Sequence, residues 1–286
     1  MISSSSLPTT PSPTTEELAE RGWRVVNVTQ PDGTTTRTFV PLTSEEFLHP
    51  QEGYHLPNST FHDDIAGTAK DILTRRYAND DTVGVFRDLV IKWDIPNLGD
   101  HCPDTFVAMG ISDKHLNRSQ FVVATEGVRP ALILEVVSPR YRKEDREIKV
   151  VEYALARVQE YVIIDRRKQR GQVLDEVLGY RLIQGHYQPI SPDEEGRICC
   201  ETVGLWLSLQ EGRLVMEDAQ TGERLLTSSE LAAANQELAA ANQELAATNQ
   251  ELAAAKEQVE QQAAAMEALL ARYRERFGDM PENPNL

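Results

Sequence analysis

Apolar and β-branched residues flank a turn signal early in the chain. Trp23 to Thr29 (WRVVNVT) and Thr34 to Val40 (TTTRTFV) stand either side of Pro31-Asp32-Gly33, which predicts a β-hairpin. A loop-rich stretch with a short helix at Ser44 to Leu48 follows. Ser59 or Thr60 then offers an N-cap for a helix from about Phe61 to Tyr77, where Ile65, Ala69, Ile72 and Leu73 keep helical spacing. Val83 to Asp94 reads as a strand or a bent pair of strands, and Thr105 to Met109 (TFVAM) as another. Ala131 to Ser138 (ALILEVVS) is an apolar run broken by one glutamate, the pattern of a central strand covered on both faces, with Pro139 ending it. Arg142 to Val158 reads as helical, with Ile148, Val151 and Leu155 forming a stripe that can pack on the sheet. Tyr161 to Ile164 is the next strand, closed by Asp165. Strand, helix and strand in this order imply a parallel crossover. The pieces to about Leu226 predict a small antiparallel extension of the same sheet.

From Ser229 the pattern changes. NQELAAA, NQELAAT and NQELAAA repeat every seven residues, and Leu231, Leu238, Leu245, Leu252, Val259 and Met266 recur at that spacing with no Pro or Gly before Gly278. This is a heptad signature. Two registers fit: Leu at a with Ala at d, or Leu at d with Asn235, Asn242 and Asn249 at a. Alanine and asparagine are weak seam residues, so the choice lies between a marginal coiled coil that makes a homo-oligomer and a single solvated helix. The expected organisation is a disordered Ser/Thr/Pro-rich leader over 1–20, a folded body over 21–228, a coiled coil over 229–277 and a flexible tail over 278–286.

Hydrophobic residues make up 40% of the 286, enough for a core, and no apolar run is long enough to span a membrane. The N-terminus lacks the basic and apolar regions of a secretory signal. Cys102, Cys199 and Cys200 have no metal-ligand spacing and point to a reducing cytoplasm. The net charge is −16, which argues against nonspecific coating of nucleic acid and leaves room for a local basic patch. No glycine-rich phosphate loop, zinc-ligand spacing or Gly-x-Ser-x-Gly elbow is present.

Three residues stand out chemically. Glu135, inside ALILEVVS, is a carboxylate among apolar neighbours and needs a metal, a cation or a proton; a structural arginine or backbone amides would serve as well. Asp104, in Pro103-Asp104, opens the strand TFVAM and is either a turn residue or a second acid. If the two strands are neighbours, Asp104 and Glu135 can share a hard cation such as Mg²⁺ or Mn²⁺, with the main-chain carbonyl of Val136 as a third oxygen. Lys149 shares a helix face with Asp145 and Tyr153. It is either half of a surface ion pair or a group aimed at the carboxylates, where it would hold the attacking water or stabilise charge on a phosphate.

Together, PDTFVAMGI and RPALILEVVSPRYRKEDREIKVVEYALARVQEYVIIDR, with LTSEEFLHPQEGYHL before them, resemble the bacterial family labelled putative restriction endonuclease, within the PD-(D/E)-x-K nuclease superfamily. Its motif pieces fall here on Pro103-Asp104, Glu135 to Pro139, Asp145/Lys149/Tyr153 and Glu160 to Asp165, and the likeness runs from about Pro41 to Leu226. The resemblance implies an α/β restriction-endonuclease-like core with a mixed sheet and metal-dependent hydrolysis of phosphodiester bonds in nucleic acid, DNA foremost. One departure matters. The superfamily's lysine two residues after the glutamate is here Val137, so the resemblance makes Lys149 its replacement. His62 stands where the family often has histidine, as a phosphate or metal contact or as a packing residue. The competing reading keeps the fold without catalysis and gives the function to assembly through the coiled coil.

Overall fold

The hairpin forms where the alternation places it. In the computed structural model, which describes residues 13–30 and 32–278, β1 (Trp23–Thr29) pairs antiparallel with β2 (Thr35–Pro41). Before it, α1 (Thr15–Arg21) is capped by Thr14, whose side chain accepts from the Glu17 amide. This corrects the expectation of disorder over 1–20 for its second half: TEELAER has an N-cap, acids in the first turn and a base in the last, the charge order that suits a helix dipole. The rest of the expected leader, 1–12, and the expected tail beyond Gly278 lie outside the described residues. Gly22 joins α1 to β1 at φ +69°; a Cβ there would sit 2.3 Å from the His55 carbonyl oxygen, so only glycine lets the chain pass this close.

Next come α2 (Ser44–Leu48), closed by a Thr43/Glu46 capping box, and α3 (Thr60–Arg76), whose N-cap Ser59 accepts from the His62 amide. β3 (Val83–Phe86) and β4 (Ile91–Lys92) are the expected bent pair. β5 (Thr105–Met109), β6 (Phe121–Val122), the single turn α4 (Val123–Glu126) and β7 (Pro130–Val136) follow. A 3₁₀ turn (Pro139–Tyr141) and a π-helical turn (Glu144–Ile148) lead into α5 (Lys149–Leu155). The remaining strands are β8 (Glu160–Gln169), β9 (Gln172–Ile183), β10 (His186–Pro189), β11 (Ile198–Cys200), β12 (Leu205–Gln210) and β13 (Arg213–Asp218).

The main sheet has the order β10-β9-β8-β7-β5-β3. β7 and β8 are parallel and the other neighbours antiparallel, so the sheet is mixed. All seven residues of β7 are buried. Leu132, Leu134 and Val136 face one core with Ile65 and Leu73 of α3; Ile133 and Val137 face the other with Tyr153, Tyr161 and Phe106. Glu135 shares the parity of the second set.

Three expectations change. β11, β12 and β13 form their own antiparallel sheet, whose Ile198, Leu205, Leu207 and Met216 join the α3 core; only β9 and β10 extend the main sheet. β8 runs past Asp165 to Gln169, because the polar residues there pair with β9. The stripe on α5 faces outward: Val151 is 67% and Leu155 59% exposed, while Lys149 and Tyr153 are buried. A π turn, wider than an α turn, precedes this helix.

The chain divides into two units at Thr227/Ser228. The second consists of α6 (Ser228–Phe277), a single helix of 50 residues with none buried. Leu238, Leu245 and Leu252 of the heptad are each about 60% exposed or more. Among the described residues no helix is long and apolar enough to cross a membrane.

Candidate active site

The register of β5 against β7 brings the two acids together. Thr105 pairs with Leu134, so one step further sets Asp104 across from Glu135 at the end of the strands. Both line a cleft of about 340 Å³ whose wall also includes Phe47, His62, Asp88, Val136, Asp145 and Lys149. One oxygen of Asp104 accepts the Val136 amide at 2.7 Å, and the other lies 2.8 Å from His62 Nε2. Val136 thus meets Asp104 through its N–H and is itself part of the cleft wall.

Lys149 is buried rather than on the surface. Its Nζ lies 3.0 Å from Glu135 and 2.9 Å from Asp145, and 5.0 Å from the centre of the Phe47 ring. It therefore sits between Glu135 and Asp145, with no ion pair to Asp104 among the described residues. Asp145 also accepts the Ser138 amide at 3.2 Å, and the Tyr153 hydroxyl donates to Glu135 at 2.7 Å. Phe47 stacks on Tyr141, whose hydroxyl donates to the Leu42 carbonyl at 2.8 Å, and this ties α2 to the segment carrying Asp145 and Lys149.

The cluster holds more negative than positive charge. Burial pushes Glu135 up to about 8, against the pull of Lys149 and with the push of Asp104 and Asp145. Asp145 is raised by the same burial. Burial alone would discharge Lys149, but Asp145, Glu135 and Asp104 hold it firmly protonated. His62 behaves likewise: burial lowers it, and Asp104 and Glu135 together raise it above the ordinary histidine value. On the rim, Asp88 is raised by burial and by Asp104. Cys102, raised to about 12 mainly by burial, stays a thiol. Three carboxylates set against the Lys149 ammonium and the His62 imidazole form a cluster that protons or a further cation would complete.

A second polar cluster gathers around Glu152 of α5. His49, His101 and Glu152 bring potential ligand atoms within 4.8 Å of one another. Their hydrogen bonds argue against a metal there. Trp93 Nε1, which can only donate, is 2.8 Å from His101 Nδ1, so that nitrogen is the acceptor. The proton of neutral His101 is then on Nε2, donated to Glu152 at 2.8 Å, and Nε2 has no lone pair for a metal. His49 completes the network: Nδ1 donates to the Asp100 carbonyl at 3.1 Å and Nε2 faces Glu152 at 3.5 Å. Burial keeps His101 below the ordinary histidine value. Glu152 would be raised by burial, but hydrogen bonds from His101 and His49 hold it near 2.

Asp145 and Tyr153 belong to the motif piece that carries Lys149, and His62 stands where the resembled family often has histidine; the fold gives them their contacts, Asp145 to Lys149, Tyr153 to Glu135 and His62 to Asp104. Asp88 carries no sequence signal. Two of the motif residues hold structure instead. Glu160 accepts from Arg181 at 2.8 Å and from the amides of Glu201 and Thr202. Asp165 takes Arg142 at 2.6 Å and pairs with Arg146.

The profile of the Uma2 family, described as "Putative restriction endonuclease", matches residues 55–210. A crystal structure described as a putative nuclease belonging to DUF820 from Anabaena variabilis ATCC 29413 is 16% identical, with 54% of this chain and 87% of that chain covered and a TM-score of 0.37. No curated protein matches the chain.

Proposed function

The chain belongs to the Uma2 putative restriction endonuclease family, and from that premise we propose that it is a divalent-metal-dependent endonuclease hydrolysing phosphodiester bonds in nucleic acid, with DNA as the substrate. The observation that carries this reading is the cleft itself, where three acids converge, Glu135 and Asp145 on the Lys149 ammonium and Asp104 on His62. The donor set suits a hard cation, since carboxylate oxygens on neighbouring strands are the ligands that Mg²⁺ and Mn²⁺ take. Asp104, Glu135 and the Val136 carbonyl would hold it. When bound, the cation supplies Lewis-acid polarisation of the phosphoryl group and activation of water.

The chain's own groups do the rest. Lys149 stays protonated through the reaction and is held at one position by Glu135 and Asp145. There it orients the attacking water or takes up the charge that grows on the phosphoryl oxygens, and its fixed geometry spares the cost of reorganisation. Tyr153 keeps its proton and fixes the orientation of Glu135. His62 fixes Asp104 from the other side. The exposed heptad stripe of α6 supports self-association of two copies, which would present two sites to the two strands of a duplex.

The test is a cleavage assay with the full chain on single- and double-stranded DNA and RNA, in Mg²⁺, in Mn²⁺ and in chelator. Metal-dependent cleavage of DNA is the expected result. Intact polymers under all conditions would overturn the reading.

A further inference from the structure

The β8–β9 hairpin concentrates positive charge beside the cleft of an otherwise acidic protein. β7 and β8 are parallel, with Glu135 across from Ile163 and Val136 across from Ile164. β7 ends at Val136, whereas β8 runs on to Gln169. The hairpin therefore projects beyond the strand end that bears Glu135. Its tip reads Arg166-Arg167-Lys168-Gln169-Arg170, and no acid occurs from Arg166 through Leu174 in a chain of net charge −16.

The base of the hairpin is fixed on both faces. Arg142 and Arg146 bind Asp165 on one side, and Arg146 also reaches Glu176 at 2.6 Å. On the other side, Arg166 grips Asp175 with two bonds of 2.7 Å and lies 4.0 Å from the centre of the Phe61 ring, next to His62. The pairing continues to Gln169 with Gln172, and the turn is made by Arg170 and Gly171, both at positive φ, as a tight two-residue hairpin turn requires. Arg166 is thus committed to the scaffold. Arg167, Lys168 and Arg170 are exposed, with Arg167 near enough to Glu176 to help hold that carboxyl down. Arg167 and Lys168 point to opposite faces of the strand and Arg170 sits in the turn, so the arm presents positive charge on both faces and at its tip.

We infer that Arg167, Lys168 and Arg170 form a clamp for the phosphodiester backbone of the substrate, some way along the strand from the bond that is cut. The inference rests on the nuclease reading above. Arg167 and Lys168 stand four and five residues beyond Ile163, about 13 and 17 Å at roughly 3.3 Å per residue. Along the axis of a duplex that span is about four or five base steps at roughly 3.4 Å each.

The test compares the full wild-type chain with Arg167→Ser/Lys168→Ser/Arg170→Ser and with Arg167→Lys/Arg170→Lys. Binding of labelled duplex DNA and duplex RNA is followed by anisotropy over a range of salt, together with cleavage kinetics and Mn²⁺ calorimetry. In the triple variant, affinity for the cleaved polymer is expected to fall on the order of tenfold or more, and the slope of log K against log salt to shrink by about 0.9 for each phosphate no longer neutralised. The loss falls on KM rather than kcat, Mn²⁺ binding is retained, and the lysine variant keeps most of the affinity. Cleavage by the triple variant with wild-type KM and salt slope would overturn the clamp and leave the nuclease reading standing. A wild-type chain that binds neither polymer would overturn both.

Discussion

Lys149 and Glu152, a single turn apart on helix α5, anchor two polar clusters, one buried and one partly buried, and they are built on opposite terms. Around Glu152, Trp93, His101, His49 and the Asp100 carbonyl close a chain of hydrogen bonds in which each imidazole nitrogen has a partner. Around Lys149, Glu135 and Asp145 share one ammonium while Asp104 beside them is met by His62, and burial pushes Glu135 up to about 8. The first cluster is complete in itself and rigidifies the fold. The second holds three acids in one cleft, and the proposed divalent cation would complete it. Both are polar and at least partly buried, so burial of polar groups alone does not mark a site; an acid-rich cluster at the mouth of a cleft does.

The strongest way to break this contrast is Lys149→Ala. Cleavage is expected to fall on the order of 10²-fold or more, with Mn²⁺ still bound. Removing Lys149 also strands buried Glu135 and Asp145, which costs about 3–5 kcal/mol in the metal-free protein. Urea unfolding with and without Mn²⁺ measures this, and cleavage at the wild-type rate would remove Lys149 from the mechanism. Isosteric changes sharpen the contrast further. Glu152→Gln should destabilise by about 1.5–3 kcal/mol, the worth of hydrogen bonds to a charged group. Glu135→Gln should leave stability unchanged or raise it, because it relieves the surplus charge. Equal losses in both variants would erase the distinction.

The closed cluster also sets a pH dependence. Glu152 is depressed to about 2 from an ordinary value of 4.5, so its contribution is fully present above about pH 5 and is lost as pH falls toward 2. His49 is raised, chiefly by its hydrogen bond to Glu152, so its contribution is present below about pH 6 and is lost as pH rises through its folded value. Stability measured against pH should fall on both flanks, and Glu152→Gln should flatten both. A variant with the wild-type profile would show that the network does not carry it. The smallest effect is expected from the helix. Leu238→Lys/Leu245→Lys should abolish concentration-dependent self-association in sedimentation while leaving Mn²⁺ affinity and the stability of both clusters unchanged. A wild-type chain that stays monomeric at all concentrations would remove the paired arrangement.

The open cluster is more legible in the sequence than the closed one. Glu135 announces itself as the lone charge in a strand buried on both faces, and Asp104 and Lys149 gain meaning from their motif spacing. His49, His101 and Glu152 stand far apart along the chain and carry no such spacing, so only the fold assembles them. The same site explains the inverted face of α5. Helical periodicity assumes that the inward face is apolar, yet here Lys149 and Tyr153 point in and Val151 and Leu155 point out. The separate β11–β13 sheet is hidden for a plainer reason: alternation identifies a strand but not the sheet that it joins. The extension of β8 is hidden because its residues are held by backbone pairing and ion pairs rather than by apolar burial.

The central claim is that the open cluster takes a divalent cation and the closed one does not. Calorimetric titration of Mn²⁺ into the full chain tests it most directly, with Glu135→Gln and Glu152→Gln as the two arms. The expected result is saturable binding by the wild type, retained in Glu152→Gln and lost in Glu135→Gln, with both variants folded. Unchanged affinity in Glu135→Gln, or binding lost only in Glu152→Gln, would contradict it and move the metal to the wrong end of the helix.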